Sequence, residues 1–224
     1  MLDISRILRE RKNRSNRLDL PFQNFFPAAE QCADAARAVL DKKVTENLVP
    51  LIERAAIIGM VTAVEVYYKD VLNLVFKLYP IENYESQIRR LHARKYDILD
   101  LVRIHQNKID PIEVILSSFS FQSVDAIDNV FSIFTEGGFI SGIVGMRIRD
   151  KREPEKEVEW TPDMLEGMRR IFNLRHELVH DQSRHDIITE EIVEDLWNTI
   201  AMVIASDFVL PGIIGEKIEA NRDS

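Results

Sequence analysis

Cysteine is almost absent from this chain; Cys32 is the single one. An intrachain disulfide and a cysteine-rich zinc module are therefore excluded, which suits a reducing compartment. Glycine and proline are scarce too, eight of each in 224 residues, too little turn punctuation for a fold of many short strands. Apolar runs such as Ile200–Ala205 fall far short of the ~20 residues that a membrane span needs. With no apolar signal core at the N-terminus, the expectation is a soluble, cytoplasmic protein that touches no membrane. Positive charge is not in surplus either. Lys and Arg number 29 against 37 Asp and Glu, a net charge of −8. That argues against a surface that coats nucleic acid and confines any such contact to a local patch. No Gly-x-Gly-x-x-Gly, Walker loop or Gly-x-Ser-x-Gly elbow occurs, so Rossmann enzymes, kinases and serine hydrolases lack support. No cofactor is expected.

What the chain does have is 46% hydrophobic residues, enough at this length for a proper core. They recur at three and four rather than at two, which predicts an all-α bundle of about six to eight helices. One helix is expected over Ala28–Lys43, with Ala29, Cys32, Ala33, Ala36, Val39 and Leu40 on its packing stripe. A longer one is expected over Pro50–Tyr79, antiparallel to it. Ile88, Leu91, Tyr96, Leu99 and Val102 predict one or two helices between Tyr84 and Gln106. Short helices follow over Pro111–Leu116 and from Ser123 or Val124 to Phe134. Glycine, β-branched residues and a charged run then predict an irregular insert or small β-hairpin near residues 138–158. Thr161-Pro162-Asp163 restarts a helix that reaches His180, and Thr189 starts another that runs to Leu210 before Pro211-Gly212. The expected division is a basic N-terminal arm over 1–27, broken by Pro21 and Pro27, a single domain over 28–210 and a tail over 211–224.

Chemistry concentrates in Asn173-Leu174-Arg175-His176-Glu177-Leu178-Val179-His180. Two motifs overlap there. His176, Glu177 and His180 form His-Glu-x-x-His, in which two histidines on one helix face share a zinc and the glutamate acts as a base. Such a metalloprotease needs a third ligand, for which Glu190, Glu191, Glu194 and Asp195 are at hand, but the polar Asp181 and Gln182 do not suit that helix. The second motif is Arg-x-x-x-x-His, Arg175 to His180. A guanidinium is permanently charged and binds phosphate in a fork, and an imidazole can transfer protons near neutral pH. A blander reading has these Arg and His side chains merely capping the helix end and pairing with Glu177 or Asp181. Arg89, Arg90, Arg94, Arg169 and Arg170 are candidate RNA contacts. Glu65, an acid within an apolar helical stretch, is a candidate to orient Arg175 by a bidentate ion pair.

The stretch from Arg169 to His180, followed by a polar loop and a last amphipathic helix, resembles the HEPN superfamily of helical ribonucleases and nucleotide-binding domains. The resemblance implies that Arg175 and His180 are the catalytic pair and that His176 holds the polar position beside them; Glu65 and Glu177 are the expected supporting residues. It further implies a metal-independent endoribonuclease with a toxin or defence role. A homodimer would join two copies of the motif in one cleft, and an antitoxin or other protein partner would accompany the toxin role. The alternative within the same fold is a non-catalytic module that binds a nucleotide or a partner; a zinc protease is third. In an ideal helix Arg175 and His180 lie about 140° apart, so either the last turn unwinds or the site is completed across a dimer.

Overall fold

The computed structural model describes residues 2–17, 20–78, 82, 85–91, 96–135, 137–149, 157–181 and 183–220. Among them the chain is an all-α bundle with one short antiparallel ribbon. In chain order come α1 (Ile4–Ser15), α2 (Pro21–Leu40), a 3-10 turn (Glu46–Leu48), α3 (Val49–Leu78), α4 (Glu85–Leu91), α5 (Ile98–Gln106) and α6 (Pro111–Ser117). There follow α7 (Val124–Phe131), α8 (Phe139–Ile143), β1 (Arg147–Arg149), β2 (Glu157–Glu159), α9 (Pro162–His180) and α10 (Glu190–Ala220). No described helix is long and apolar enough to cross a membrane.

The centre is the α2–α3 pair. Ala29, Ala33 and Ala36 are wholly buried, and small side chains let the helices approach closely. At Gly59 a Cβ would come 2.8 Å from Cys32 Sγ, so a side chain there would have to displace the thiol. Phe25 meets Tyr67 while Cys32 meets Gly59, so the two helices run antiparallel, as expected. The α9–α10 pair packs against them. Thr161 caps α9 by accepting from the Met164 amide, and the Trp160 indole donates to the Ala201 carbonyl at 2.7 Å. Across α3 and α10, the Tyr67 hydroxyl donates to Asp207 at 2.9 Å and Tyr68 shares a hydrogen bond with Ser206. Burial pushes both phenols up, which keeps them protonated.

Local differences from expectation have physical causes. α2 begins at Pro21, where a missing N–H costs nothing, and continues through Pro27. Phe22, Phe25 and Phe26 pack its first two turns on the core, offsetting the backbone bond lost at Pro27. α5 turns the other way round from its apolar pattern. Leu99 is 62% and Val102 42% exposed, while Asp100 is buried and accepts from the Leu2 amide. Ser132 and Asp128 accept the amides of Phe139 and Ile140, so a helical turn, α8, forms where a loop was expected. The ribbon pairs Ile148 with Val158. α10 passes through Pro211 and Gly212 instead of stopping at Leu210. Trp197 of α10 is 41% exposed.

The basic N-terminal stretch is a docked helix. Asp3 caps α1, and Ile7 joins Leu2, Ile109 and Val114 in a small second core. Arg11 and Arg14 converge on Glu113, and Arg17 Nε reaches Asp70 at 2.7 Å. Burial pushes the Glu113 carboxyl up, but the Arg11 guanidinium, the Asp110 amide and Arg14 outweigh it and hold the group below the usual range. Its stabilisation is therefore present above the ordinary carboxylate range and lost as pH falls through the lowered folded value. Glu113→Ala should cost about 1–3 kcal/mol and strip hydrogen-exchange protection from α1 before α2 and α3. In wild type, lowering the pH through that range should release α1 first; equal loss across all helices would contradict this clamp.

Candidate functional site at the end of α9

Met168, Ile171, Phe172, Leu174 and Leu178 are buried along α9, so the helix that carries the Arg/His segment is anchored by its apolar face. It stays helical to His180, and the Asp181 amide still bonds the Glu177 carbonyl at 2.8 Å. The last turn does not unwind. His176 and His180 are exposed, one turn apart, with ring centroids 4.7 Å apart and edge-on. Arg175 is half-buried and lies about 140° around the helix from His180.

The structural work of this helix end is done by other residues. Arg54 of α3 donates to the carbonyls of Leu178 and of Asp181, the latter at 3.1 Å. A cation there satisfies orphan carbonyls and faces the negative end of the helix dipole. Its neighbour Glu53 is 2% exposed, and one carboxylate oxygen accepts the amides of Ile187 and Ile188 at 2.9 and 3.0 Å. Asp181 closes the intervening turn by accepting from the Ser183 hydroxyl and amide, at 2.6 and 2.8 Å, which hold its carboxyl below the usual range. Glu177 pairs with Arg184. Among the described residues, Arg175, His176 and His180 make no side-chain hydrogen bond or ion pair, so the capping role of the blander reading belongs to Arg54.

The other expected residues are more dispersed. Glu65 does not orient Arg175: it pairs with Lys69 on its own helix at 3.1 Å and accepts from Gln122 at 2.9 Å. Arg169 pairs with Asp125 at 3.0 Å. Arg170 grips Asp195, which is 1% exposed, with two bonds of 2.8 and 2.6 Å; those bonds raise its own pKa. Arg89 pairs with Glu85. Arg90 is exposed with no ion pair among the described residues, and Arg94 lies outside them. No group of three His, Cys, Asp or Glu side chains among the described residues could hold a metal. Of the acids considered as a third zinc ligand, Glu190 pairs with Arg37, and Glu191 and Asp195 with Arg170. Sequence reasoning missed Glu53 and Arg54. The signal was there, since Glu53 falls on the inward stripe shared by Ile57, Met60 and Val64.

The RiboL-PSP-HEPN family model matches residues 31–207. The chain belongs to the HEPN superfamily. No curated protein and no solved structure matches it. The matched segment of this HEPN domain runs from within α2 into α10 and contains the whole α9 end, whereas α1 lies before it.

Two substitutions test this scaffold. Glu53→Ala leaves two buried amides without an acceptor and should cost about 2–3 kcal/mol, with exchange protection lost first at Ile187 and Ile188. Arg170→Ala strands the Asp195 carboxylate. Because Arg170 is itself 41% exposed, the expected loss is about 2–3 kcal/mol, below the figure for a fully buried pair. Unchanged melting for either variant would contradict its assigned role.

Proposed function

We propose that this HEPN domain is a metal-independent endoribonuclease whose site uses Arg175 and His180 and is completed between two copies of the chain. The observation that carries the reading is that Arg175, His176 and His180 make no side-chain hydrogen bond or ion pair among the described residues. Arg54, Glu53, Asp181 and Arg184 hold the helix end and its loop, which leaves Arg175, His176 and His180 for a ligand on a firmly packed helix. The resemblance supplies the chemistry, and the residue types suit it. The 2′-oxygen of a ribose attacks the adjacent phosphorus as its proton passes to a base, and the bond to the 5′-oxygen breaks as that oxygen takes a proton. His180 accepts the first proton and, once protonated by it, supplies the second. Arg175 binds the non-bridging oxygens as charge builds on them, and His176 lies beside His180 to support it.

The intact last turn supports action in trans. One helix presents Arg175 and His180 on different sides, so an Arg175 from one copy facing a His180 from another meets the geometric need, in keeping with HEPN pairing. A toxin or defence role with a protein partner, and a cytoplasmic location, belong to the same proposal. Among the candidate RNA contacts, Arg90 is the described one with no ion pair; Arg94 stays a candidate, and Arg89, Arg169 and Arg170 would have to exchange carboxylate partners for phosphate.

The test is cleavage of a mixed structured and single-stranded RNA in excess EDTA by wild type, Arg175→Ala and His180→Ala proteins of equal fold and oligomeric state. Wild-type cleavage should fall on the order of 10²–10⁴-fold in each variant. Cleavage retained by His180→Ala, or absent from wild type, would overturn the proposal; the second outcome would favour the non-catalytic binding module.

A further inference from the structure

The basic N-terminal stretch takes no part in the α9 site and lies before the segment that the family model matches. α1 carries Arg6, Arg9, Arg11, Lys12 and Arg14 against one acid, Glu10, within a chain of net charge −8. Two depressions of about 390 and 270 Å³ lie along α1 and α3, and Arg14 and Arg17 line both. Arg11 and Lys77 add to the first, and Arg6 and Lys69 to the second. The acids lining them are Asp110, Glu113, Glu10 and Glu65, so six bases face four acids and the local charge is opposite in sign to that of the chain.

The ion pairs to Glu113 and Asp70 fix the inner guanidiniums in place. Other cations remain uncommitted: Arg9, Lys12 and Lys77 are exposed and have no ion pair among the described residues. On α3, Arg54, Ile58, Thr62, Glu65 and Lys69 follow one another within about 80° of the helix surface. Arg54 holds the end of α9, and Glu65, about 16 Å further along α3, already lines the second depression. A strand only a few nucleotides long would bridge that distance.

We propose that α1 and α3 form a phosphate-binding track for single-stranded RNA that leads to the α9 site. The inference rests on the ribonuclease reading for its choice of polyanion. The track grips backbone phosphates through charge and does not read bases, so its binding is salt-dependent and tolerant of sequence.

The test uses the full chain carrying His180→Ala, so that substrate survives, and a fluorescein-labelled single-stranded RNA of mixed sequence, with anisotropy read across a salt series. Arg9→Glu, Lys12→Glu and Lys77→Glu together break no ion pair. They should weaken binding about tenfold or more and lower the slope of log K against log salt by about 2, from ~0.7 per lost contact. Three reversals elsewhere, at Lys42, Lys43 and Arg147, should leave both nearly unchanged. Equal affinity and slope in the track variant, an equal loss in the control variant, or no RNA binding by the parent would overturn the track. The first of these would leave an acidic protein as the partner for α1. The ribonuclease reading fails separately. If His180-intact protein cleaves nothing while the track variant loses binding, the track stands; if it cleaves and the track variant binds as the parent does, the track falls alone.

Discussion

Two adjacent residues of opposite charge at the start of α3 determine the shape of the α9 end. Arg54 takes the last carbonyls of α9, and Glu53 takes the amides where the following loop turns towards α10. The helix end and the loop are thus tied to the central α2–α3 pair from the same turn of one helix. Within the loop Asp181 accepts from Ser183, and Glu177 pairs with Arg184. Because the ties come from α3, the side chains of Arg175, His176 and His180 are not needed to satisfy the backbone.

That division of labour also fixes the geometry. A helix end capped from outside has no reason to unwind, so α9 stays regular to His180 and keeps Arg175 and His180 on different sides. An arginine held in a carboxylate fork, as Arg170 is by Asp195 through Nε and one Nη, adds stability and has that edge occupied. Arg175, on the same helix, is in the opposite situation. The two arginines, five residues apart, differ in this: Arg170 is committed to a buried carboxylate, and Arg175 has no ion pair among the described residues.

Much of the architecture was legible in the sequence. The alanine stripe at 29, 33 and 36, the Thr161-Pro162 start of α9 and the antiparallel α2–α3 pair follow from periodicity and capping, because burial of an amphipathic face dominates helix formation. Long-range satisfaction of polar groups was not legible. Nothing local says that Glu113 collects two arginines from α1 or that Asp100 is buried against Leu2, and α5 faces inward with its acid as a result. The same limit applies at the site. The Arg/His segment was readable as a motif, but which residues cap the helix depends on what α3 brings to it, and the acid chosen from α3 was Glu65, three turns from the pair that holds the helix end. Pro27 misled for a simpler reason, since a helix packed through Phe22, Phe25 and Phe26 tolerates the loss of one backbone bond.

Arg175 and His180, held on different sides of an intact helix, are proposed to act together from different copies of the chain. Co-expressing differently tagged Arg175→Ala and His180→Ala chains, isolating the mixed assembly and measuring RNA cleavage in EDTA tests this most directly. Cleavage well above that of either variant alone is expected, because the mixed pair joins one intact Arg175 to one intact His180. A mixed assembly as inactive as its parents, beside an active wild type, would contradict it and place both groups in a site made by a single chain.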